Sequence, residues 1–495
     1  MRTIAELLRW RARRHPDLEA VWFEGRSQTY GELDAATSQL AAGLVDRLGL
    51  VPGDRVAIID KNSAAFLAMF YALDKAGLVA APLSWRLTPH EIKQIVDDIA
   101  PKLIVTGTEF KAPAAATGVP TLTFDELPRA GADPRRDADG AVCCQFCTSG
   151  TTGVPKGAML TGWNVLNVGD CLALEMPEIR EGGRHLVALP LFHIGGAGWA
   201  LWAMQRGSTA IIVRETAPGP LLAAIVEQKV ETALLAPTLM LFLTELPEAR
   251  TADFSAFKHI TYGTAPISPD LLRRCLEIFK CRFSQLYGLT ETTGPFTSLP
   301  HEYHVGERLL SCGRPMFGGR ARVVDLNDND LPPYEVGEIL YQGKNLMAGY
   351  WGRPDATAEA LRGGWFHTGD AGYMDAEGFI FLKDRIRDMI VSGGENVYPA
   401  EVEAVLMAHP GILECAVIGV PDQKWGETVK AVVVRRAGAA LTEAALIEWT
   451  REKLAGYKRP RSIDFIDTLP RNAAGKLLKR TLREPYWAGF ARRVN

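Results

Sequence analysis

The sequence predicts an α/β protein with a large N-terminal domain, whose parallel sheets are built from βαβ units, and a small mobile α+β domain at the C-terminus. Three observations lead to this prediction. The chain has 495 residues, whereas one hydrophobic core usually stops growing at about 250 to 300 residues. Short apolar runs alternate with helical stretches through the first two-thirds of the chain. Beyond Gly318 the pattern changes to strands and tight turns, which predicts a β-rich subdomain before the tail.

The alternation that predicts parallel sheets is clearest near the N-terminus and recurs in the middle of the chain. The predicted strands are short and apolar, and each is followed by a stretch with helical periodicity. The first group comprises residues 55–59, 64–77, 79–82, 89–99 and 103–106, and the second comprises 186–189, 210–213, 221–228 and 232–236. More than one parallel sheet is therefore expected in the large domain.

A charged stretch at residues 384–388, Asp-Arg-Ile-Arg-Asp, separates the β-rich region from the tail. We place the domain boundary within it, which gives a large domain of residues 1–385 and a small one of residues 386–495. The tail has the pattern helix, strand, strand, helix, strand at 399–408, 416–420, 429–434, 443–454 and 463–465. This is enough for an independent small domain.

Composition excludes several classes of protein. The formal net charge of −3 gives no general attraction to nucleic acid or to an anionic membrane. Eight cysteines are too few for a disulfide scaffold, so a cytoplasmic location is expected, and the Cys144–Cys147 spacing is interpreted as a buried strand. The apolar run at 186–204 contains Pro190 and several glycines, which predicts a strand, loop and helix and not a membrane span. The N-terminus is predicted to be an amphipathic surface helix.

The strongest local signal for chemistry is the run at residues 148–157, Thr-Ser-Gly-Thr-Thr-Gly-Val-Pro-Lys-Gly, which follows an apolar strand. Backbone N–H groups, hydroxyls and one cation placed this densely can converge on phosphate oxygens. The spacing differs from that of a Walker motif, so a Walker-type NTPase is not implied. The predicted phosphate-binding residues are Thr148, Ser149, Gly150, Thr151, Thr152 and Lys156.

Further motifs follow in a recognisable order. They are Thr-Tyr-Gly-Glu-Leu at 29–33, Tyr-Gly-Thr-Ala-Pro at 262–266, Tyr-Gly-Leu-Thr-Glu at 287–291, His-Thr-Gly-Asp at 367–370, Ser-Gly-Gly-Glu-Asn at 392–396 and Pro-Arg-Asn-Ala-Ala-Gly-Lys at 470–476. Together with the charged stretch and the run at 148–157, this set resembles the adenylate-forming superfamily of acyl-CoA synthetases, peptide-synthetase adenylation domains and beetle luciferases. The resemblance covers nearly the whole chain. It implies an enzyme that uses ATP and Mg²⁺ to convert a carboxylic acid to an acyl-adenylate and then transfers the acyl group to coenzyme A.

The resemblance also implies roles for individual residues. An attacking carboxylate and a phosphate are both anions, so the site has to supply cations and donors. Lys476 is the lysine that contacts the carboxylate and the phosphate during adenylation, Thr290 offers a hydroxyl to the α-phosphate and Glu291 binds Mg²⁺. Asp370 accepts hydrogen bonds from the ribose, and Arg385 lies nearby. The remaining nucleotide and coenzyme A residues are Gly263, Thr264, Ala265, Tyr287 and Gly288 for the adenine, and Ser392, Gly393 and Gly394 for the pantetheine arm.

By the same resemblance the tail domain swings between an adenylating and a thioester-forming orientation about the charged stretch. Arg387 stands where the family usually has Asp or Lys, and Asp384 stands where Gly is common. These departures concern the rate and balance of the swing more than the chemistry.

The acid is less well defined by the sequence. His193 matches a position that acid–CoA ligases often fill with histidine, and we count it among the catalytic candidates. Amino-acid-activating relatives carry an aspartate nearby, and the sequence has none between Leu189 and Gln205. The apolar stretch Gly-Gly-Ala-Gly-Trp at 195–199 indicates a pocket for a medium- or long-chain fatty acid, or for an aromatic acid of the benzoate, cinnamate or ferulate type. A monomer or homodimer acting on small molecules is expected.

Three alternatives stay open. One is an acyl-AMP ligase that loads a carrier protein, although such relatives typically carry an insertion that is not evident between Gly337 and Asp384. Another is a luciferase-like oxidoreductase, because the motif at 286–293 occurs in both groups. The third is a non-catalytic nucleotide-binding regulator, against which Lys476, Glu291 and Asp370 speak.

Overall fold

A computed structural model describes residues 2–148, 156–265, 267–385, 388–393, 395–451, 453–471 and 477–488, without the side chains of Asp384 and Arg385. The chain divides into two compact units. The first unit comprises Met1–Ala321 and Tyr341–Phe366, and the second comprises Arg322–Leu340 and His367–Asn495. The predicted boundary at residue 385 marks where the mobile tail is expected to start. The division into two units does not test this boundary, so it stays a prediction.

The helices of the described residues are α1 Ile4–Arg14, α2 Tyr30–Asp46, α3 Ala64–Lys75, α4 Pro89–Ile99, α5 Lys111–Ala115, α6 Gly162–Glu175, α7 Ile194–Gln205, α8 Pro218–Glu227, α9 Pro237–Glu245, α10 Pro269–Phe279, α11 Pro354–Ala360, α12 Pro399–Met407, α13 Glu443–Arg451 and α14 Lys479–Trp487. The strands are β1 Glu19–Phe23, β2 Arg26–Thr29, β3 Arg55–Ile59, β4 Val79–Leu83, β5 Leu103–Thr106, β6 Thr121–Thr123, β7 Val142–Thr148, β8 Lys156–Thr161, β9 Arg184–Val187, β10 Thr209–Ile212, β11 Thr232–Leu235, β12 His259–Gly263, β13 Arg282–Leu289, β14 Gly294–Leu299, β15 Arg314–Pro315, β16 Arg320–Val324, β17 Gly337–Gln342, β18 Gly349–Tyr350, β19 Phe366–Met374, β20 Ile380–Arg385, β21 Ile390–Ser392, β22 Glu395–Val397, β23 Ile412–Asp422, β24 Gly426–Arg435 and β25 Ser462–Phe465.

The first unit contains two large sheets. One has the strand order β15-β14-β13-β12-β11-β9-β10-β1-β2, and the other has the order β18-β8-β7-β4-β3-β5-β6. Strands β1 and β9 to β13 run parallel to one another, as do β3 to β6, whereas β2 and β14 pair antiparallel with β1 and β13. The predicted α/β class with parallel sheets is confirmed.

The second unit contains most of the four-stranded sheet β16-β17-β19-β20 and a sheet in which β22, β21, β24 and β23 are neighbours and β25 pairs with β24. The first of these corresponds to the predicted β-rich subdomain. In the tail, β23 and β24 form a long antiparallel pair that extends from Ile412↔Arg435 to Asp422↔Gly426. The order of helices and strands predicted for the tail is the one found, although β23 and β24 are longer than predicted.

Local sequence explains why these elements form. Four of the five residues of β3 are buried, because a parallel strand covered on both faces needs a continuous apolar run. Helix α4 begins with a capping box, in which Thr88 accepts a hydrogen bond from the backbone N–H of Glu91, and Pro89 fills the first turn. The predicted bounds of β3, α4 and β5 therefore agree with the structure.

The prediction of a surface helix at the N-terminus is wrong. Most of α1 is buried, including Arg9 and Arg11. Arg9 forms ion pairs with Asp133 and Asp137, which are 124 and 128 residues away in the chain. A buried arginine needs such partners, and the sequence gives no sign of partners this distant.

The structure describes all eight cysteines and the whole apolar run at 186–204, so the predictions about both can be compared with it. Cys143 and Cys144 are buried within β7, and all eight cysteines are free. The run at 186–204 forms the end of β9, a loop and α7. Within the described ranges, no helix is long and apolar enough to cross a membrane.

The core of the first unit contains a buried histidine that predicts a pH-dependent stability. His185 on β9 is fully buried, and neither ring nitrogen has a hydrogen-bond partner among the described residues. Burial lowers the pKa of His185 to about 3, whereas an unfolded histidine has a pKa of about 6.5. The unfolded chain therefore binds the proton first, and the free energy of unfolding falls as the pH drops below about 6.5.

When the pH falls from 7.5 to 5, we expect the free energy of unfolding to decrease by about 2 kcal/mol less in a His185→Leu variant than in the wild type. Urea denaturation of both proteins at the two pH values measures this difference. Equal losses would show that His185 does not titrate in this way.

Candidate active site

Three chain segments that carry predicted site residues lie at one edge of the nine-stranded sheet. Strands β9, β12 and β13 are parallel members of that sheet, and the carboxyl ends of parallel strands lie at the same edge. The loop to His193 follows β9, Thr264 and Ala265 follow β12, and Thr290 and Glu291 follow β13. This edge is where open α/β sheets usually bind ligands.

Backbone strain points to two of the same segments. Among the described residues, nine non-glycine residues have a positive φ, and Thr264 and Thr293 are the two β-branched ones. Their φ values are 67° and 54°. A β-branched residue in this region is an outlier that costs about 1–3 kcal/mol, and such residues cluster at functional sites.

The turn after β13 is fixed by a clamp that comprises residues 345–350. Thr290–Thr292 form a short 3₁₀ helix, which is followed by Thr293. The Asn345 side chain donates to the carbonyl of Thr292 at 2.7 Å, and the Thr293 hydroxyl donates to the carbonyl of Asn345 at 2.6 Å. All three residues are buried. Because each end of the turn has a partner on the same segment, the strained conformation is held in place.

The clamp also fixes the side chain of Glu291. The backbone N–H of Met347 donates to the carbonyl of Glu291 at 2.8 Å, and the Tyr350 hydroxyl donates to its Oε1 at 2.8 Å. Tyr350 lies on β18, which pairs with β8. The ammonium of Lys156, at the start of β8, is 5.1 Å from the centre of the Tyr350 ring. Tyr350 thus connects the end of the predicted phosphate run to the predicted metal ligand.

The donor set around Glu291 fits a magnesium ion. The residue is only 9% exposed, and Tyr350 holds one of its carboxylate oxygens. Mg²⁺ is usually bound by one or two carboxylates together with phosphates of the substrate and water. A single buried carboxylate, whose partner Tyr350 also contacts Lys156 at the end of the predicted phosphate run, is compatible with this requirement.

The loop that carries His193 is held by Asn62. The Asn62 side chain donates to the carbonyl of Leu189 at 3.0 Å and accepts from the backbone N–H of Leu191 at 2.9 Å. Nε2 of His193 is buried and has no partner in the part of the chain that the structure describes. Burial, with a smaller effect of the charge on Arg86, lowers the pKa of His193 to about 4. At neutral pH the imidazole is therefore neutral.

The glycines of α7 have different roles from those expected. A Cβ on Gly196 would lie 2.2 Å from the carbonyl oxygen of Pro190, and one on Gly198 would lie 2.4 Å from the Trp202 ring. These two glycines are required by packing and do not line open space. A Cβ on Gly195 would make ordinary contacts, 3.5 Å from Leu189 and 3.6 Å from Thr264. Of these three glycines, only Gly195 borders the carboxyl edge of the nine-stranded sheet.

The residues predicted to surround the adenine are placed as follows. Gly263 ends β12, and a Cβ there would lie 2.4 Å from the carbonyl oxygen of Leu286. A Cβ on Gly288 would lie 1.9 Å from the carbonyl oxygen of Gly294. Packing between neighbouring strands thus accounts for both glycines. The Tyr287 ring packs edge-on against Phe296, with ring centres 4.9 Å apart.

In the second unit, Asp370 lies on β19 and is buried. Its backbone N–H donates to the Thr368 hydroxyl at 3.0 Å, and the Thr368 hydroxyl donates to the carbonyl of Ile339 at 2.7 Å. Arg385 on β20 is the cross-strand partner of Asp370. The carboxylate of Glu338 accepts from the backbone N–H of Gly369 at 3.0 Å. This network fixes the turn that presents Asp370.

The predicted coenzyme A segment begins in the same unit. Ser392 is buried at the end of β21, and Gly393 follows with φ 64°. The backbone N–H of Gly393 donates to the carbonyl of Trp425 at 2.8 Å, and a Cβ on Gly393 would lie 2.5 Å from the indole ring. Gly393 is therefore required by both its conformation and its neighbour.

Of the predicted phosphate run, Thr148 and Lys156 are described, whereas several other predicted residues lie outside the described part of the chain. Thr148 lies at the end of β7, and its hydroxyl donates to the carbonyl of Lys156 at 3.3 Å. The predicted residues outside the described ranges are Ser149, Gly150, Thr151, Thr152, Gly394 and Lys476, together with the hinge residue Arg387 and the side chain of Arg385.

The sequence analysis missed Tyr350, Asn345 and Asn62. Tyr350 lies 59 residues beyond Glu291, and no periodicity relates the two. Asn345 and Asn62 are isolated polar residues without a motif that marks them. Only the folded chain shows that each holds a segment of the site.

Comparison with known families gives the identity of the chain. Residues 8–351 match the AMP-binding enzyme family, and residues 401–476 match the AMP-binding enzyme C-terminal domain. The chain belongs to the AMP-binding enzyme family. The resemblance to the adenylate-forming superfamily is thereby confirmed.

Individual relatives of this AMP-binding enzyme align over nearly the full length. It is 40% identical to a feruloyl-CoA synthase of an Amycolatopsis species, over 96% of this chain and 97% of that protein. It is 38% identical to the fatty acid–[acyl-carrier-protein] ligase ScoC of Streptomyces coeruleorubidus, over 100% of this chain and 98% of that protein. The o-succinylbenzoate CoA synthetase MenE of Bacillus subtilis, solved with the acyl-adenylate intermediate OSB-AMP, matches with a TM-score of 0.89 at 33% identity, covering 98% of each chain.

The hydrogen bond from Tyr350 to Glu291 predicts an altered metal requirement when it is removed. In this AMP-binding enzyme, Tyr350→Phe keeps the ring beneath Lys156 but removes the hydroxyl. We expect the Mg²⁺ concentration for half-maximal activity to rise by about 10-fold or more, because partners of a metal ligand typically contribute 10- to 100-fold to metal affinity. Rates of AMP formation across a Mg²⁺ titration measure this change.

Tyr71→Phe is the matched control, because Tyr71 is also buried but, among the described residues, its hydroxyl donates a hydrogen bond to the sulfur of Met204, at 3.7 Å, and not to a carboxylate. Its Mg²⁺ dependence should equal that of the wild type. An unchanged Mg²⁺ requirement in Tyr350→Phe would show that the hydroxyl does not position Glu291 for the metal.

Proposed function

We propose that this protein is an ATP-dependent carboxylic acid–CoA ligase, which forms an acyl-adenylate and then an acyl-CoA. The observation that carries the proposal is the clamped turn at Thr290–Thr293, in which the buried carboxylate of Glu291 is bonded to Tyr350, whose ring in turn contacts Lys156. The relatives support the reaction class, since they are named as ligases of an acid to CoA or to a carrier protein. ATP, Mg²⁺ and coenzyme A are the implied cofactor and substrates.

Each step places demands on the chain's own residues. When a carboxylate oxygen of the acid attacks the α-phosphate of ATP, the bond to the β-phosphate breaks and pyrophosphate leaves, while the hydroxyl of Thr290 and the ammonium groups of Lys156 and Lys476 stabilise the negative charge. A magnesium ion, when bound at Glu291, neutralises charge on the phosphates. Asp370 accepts hydrogen bonds from the ribose. In the second step the thiol of coenzyme A attacks the acyl carbon, the bond to AMP breaks, and AMP leaves.

The neutral state of His193 suits a position beside the acid. A charged imidazole would pair with the carboxylate and lower its nucleophilicity, whereas a neutral one at the start of α7 leaves the carboxylate free to react. The apolar surroundings of α7 favour a fatty or an aromatic acid. We further propose a cytoplasmic enzyme, consistent with eight free cysteines, that acts as a monomer or homodimer.

A second candidate is an acyl-AMP ligase that loads an acyl-carrier protein. The relative ScoC, which bears that name, favours it. Between β17 and β20, where every residue is described, the chain forms β18, α11, one turn of 3₁₀ helix and β19. No additional folded segment is present there. Coenzyme A therefore remains the preferred acceptor.

The acceptor can be tested directly with purified protein. A panel of fatty, benzoic and cinnamic acids is incubated with Mg·ATP and either coenzyme A or a phosphopantetheinylated carrier protein, and AMP and the thioester product are measured. We expect acyl-CoA to form with stoichiometric AMP. Thioester on the carrier protein alone would favour the second candidate, and absence of AMP with every acid would overturn the ligase function.

The role of Lys476 predicts a specific loss in the first step. We expect Lys476→Ala to lower acid-dependent exchange of pyrophosphate into ATP by about 10²-fold or more, because it removes charge stabilisation from the transition state. Lys453→Ala is the control, since Lys453 follows α13 and its ammonium donates to the carbonyl of Trp449 and lies 3.7 Å from the centre of the Trp449 ring. Undiminished exchange in Lys476→Ala would contradict the role given to this lysine.

A further inference from the structure

The indole of Trp202 occupies a space that two glycines leave open. Trp202 is 1% exposed. Its ring lies where a Cβ on Gly198 would be 2.4 Å away and a Cβ on Gly294 would be 2.6 Å away. The missing side chains of the two glycines therefore make room for the indole at this position.

The N–H group of this indole has no acceptor within the part of the chain that the structure describes. Nε1 of Trp202 is buried and lacks a hydrogen-bond partner among the described residues. Trp199, which is equally buried on the same helix, donates from Nε1 to the carbonyl of Leu186 at 2.9 Å. A buried donor without a partner is destabilising, and most such donors in native proteins are bonded to protein, ligand or water.

The indole lies on the face of α7 that packs against the end of the clamped turn. Ile194, Gly198 and Trp202 are spaced one turn apart on α7, and this face contacts Gly294, which directly follows the clamped turn. Gly195, at the start of the same helix, borders Thr264. The Trp202 ring covers Gly198, which is about 7 to 8 Å along the helix axis from His193 at 1.5 Å per residue. This distance is comparable to the length of one substituted aromatic ring.

We propose that the acid carries an oxygen atom at the end remote from its carboxylate, and that this oxygen accepts a hydrogen bond from Nε1 of Trp202. The substrate class is then an oxygen-substituted aromatic acid and not an unsubstituted alkyl acid. A site with a buried donor rejects an analogue that lacks the acceptor, because the donor is left unpaired. The proposal rests on the proposed ligase function and assigns a specificity to it.

Pairs of acids that differ only in this oxygen test the proposal. Methoxy and ethyl derivatives, at the meta and para positions of benzoate and cinnamate, are compared by kcat/KM in the acid-dependent exchange of pyrophosphate into ATP. In the wild type we expect at least one methoxy acid to exceed its ethyl counterpart by about 10-fold or more. Trp202→Phe keeps an aromatic ring but lacks the N–H. In this variant, the ratio of kcat/KM for the methoxy acid to kcat/KM for the ethyl acid should fall to within about threefold of one.

Trp199→Phe is the matched control, because it removes an indole N–H that already has a protein acceptor. Its ratio of methoxy to ethyl acid should stay at the wild-type value even where both rates fall. Thermal melting of each variant reports on folding separately from the ratio.

Two results would overturn the proposal while leaving the ligase function intact. One is a wild-type ratio near one for every pair, with octanoate activated as well as the methoxy acids. The other is a high ratio that Trp202→Phe preserves, which would mean that the N–H bonds a buried water. Absence of exchange with every acid, octanoate included, would instead overturn the ligase function and this proposal with it.

Discussion

The candidate active site of the first unit depends on one constraint, which is that a strained turn has to be held from outside itself. Thr293 and Gly294 both have positive φ values, and Thr293 is β-branched. The turn makes some of its own hydrogen bonds, such as that from the Thr293 N–H to the carbonyl of Thr290, and Asn345 and Met347 supply further ones from a segment more than 50 residues away. Without that segment, the free energy stored in the turn would be released and Glu291 would lose its orientation.

The same constraint explains how a carboxylate can be buried where negative charge is to be stabilised. A buried carboxylate is costly unless it is hydrogen-bonded or paired. Tyr350 provides one hydrogen bond, which leaves the carboxylate able to bind a cation. Lys156 lies over the same tyrosine ring, so the cation of the phosphate run and the carboxylate contact opposite parts of one side chain. One tyrosine thereby contacts both a cation and a carboxylate of the candidate site.

Much of the fold follows from patterns that act over short distances. The alternation of apolar strands and helices predicted β3, α3, β4, α4 and β5 within a few residues, because parallel strands and amphipathic helices impose periodicity on the sequence. Burial of α1 was not predictable, since it depends on ion pairs of Arg9 with distant aspartates. The glycines of α7 show the same limit, because the sequence shows small residues but not that the Trp202 ring fills the space at Gly198. The spacing of Gly198 and Trp202 by one helical turn is the one signal that could have indicated this contact.

The proposed function depends on Glu291, which the clamp would orient to bind the metal for adenylation. This role can be tested by acid-dependent exchange of pyrophosphate into ATP, without coenzyme A, in Glu291→Gln, which keeps the size of the side chain and removes its charge. We predict a loss of about 10²-fold or more at saturating Mg²⁺, with thermal stability close to that of the wild type. Exchange at the wild-type rate and with the wild-type Mg²⁺ dependence would contradict it.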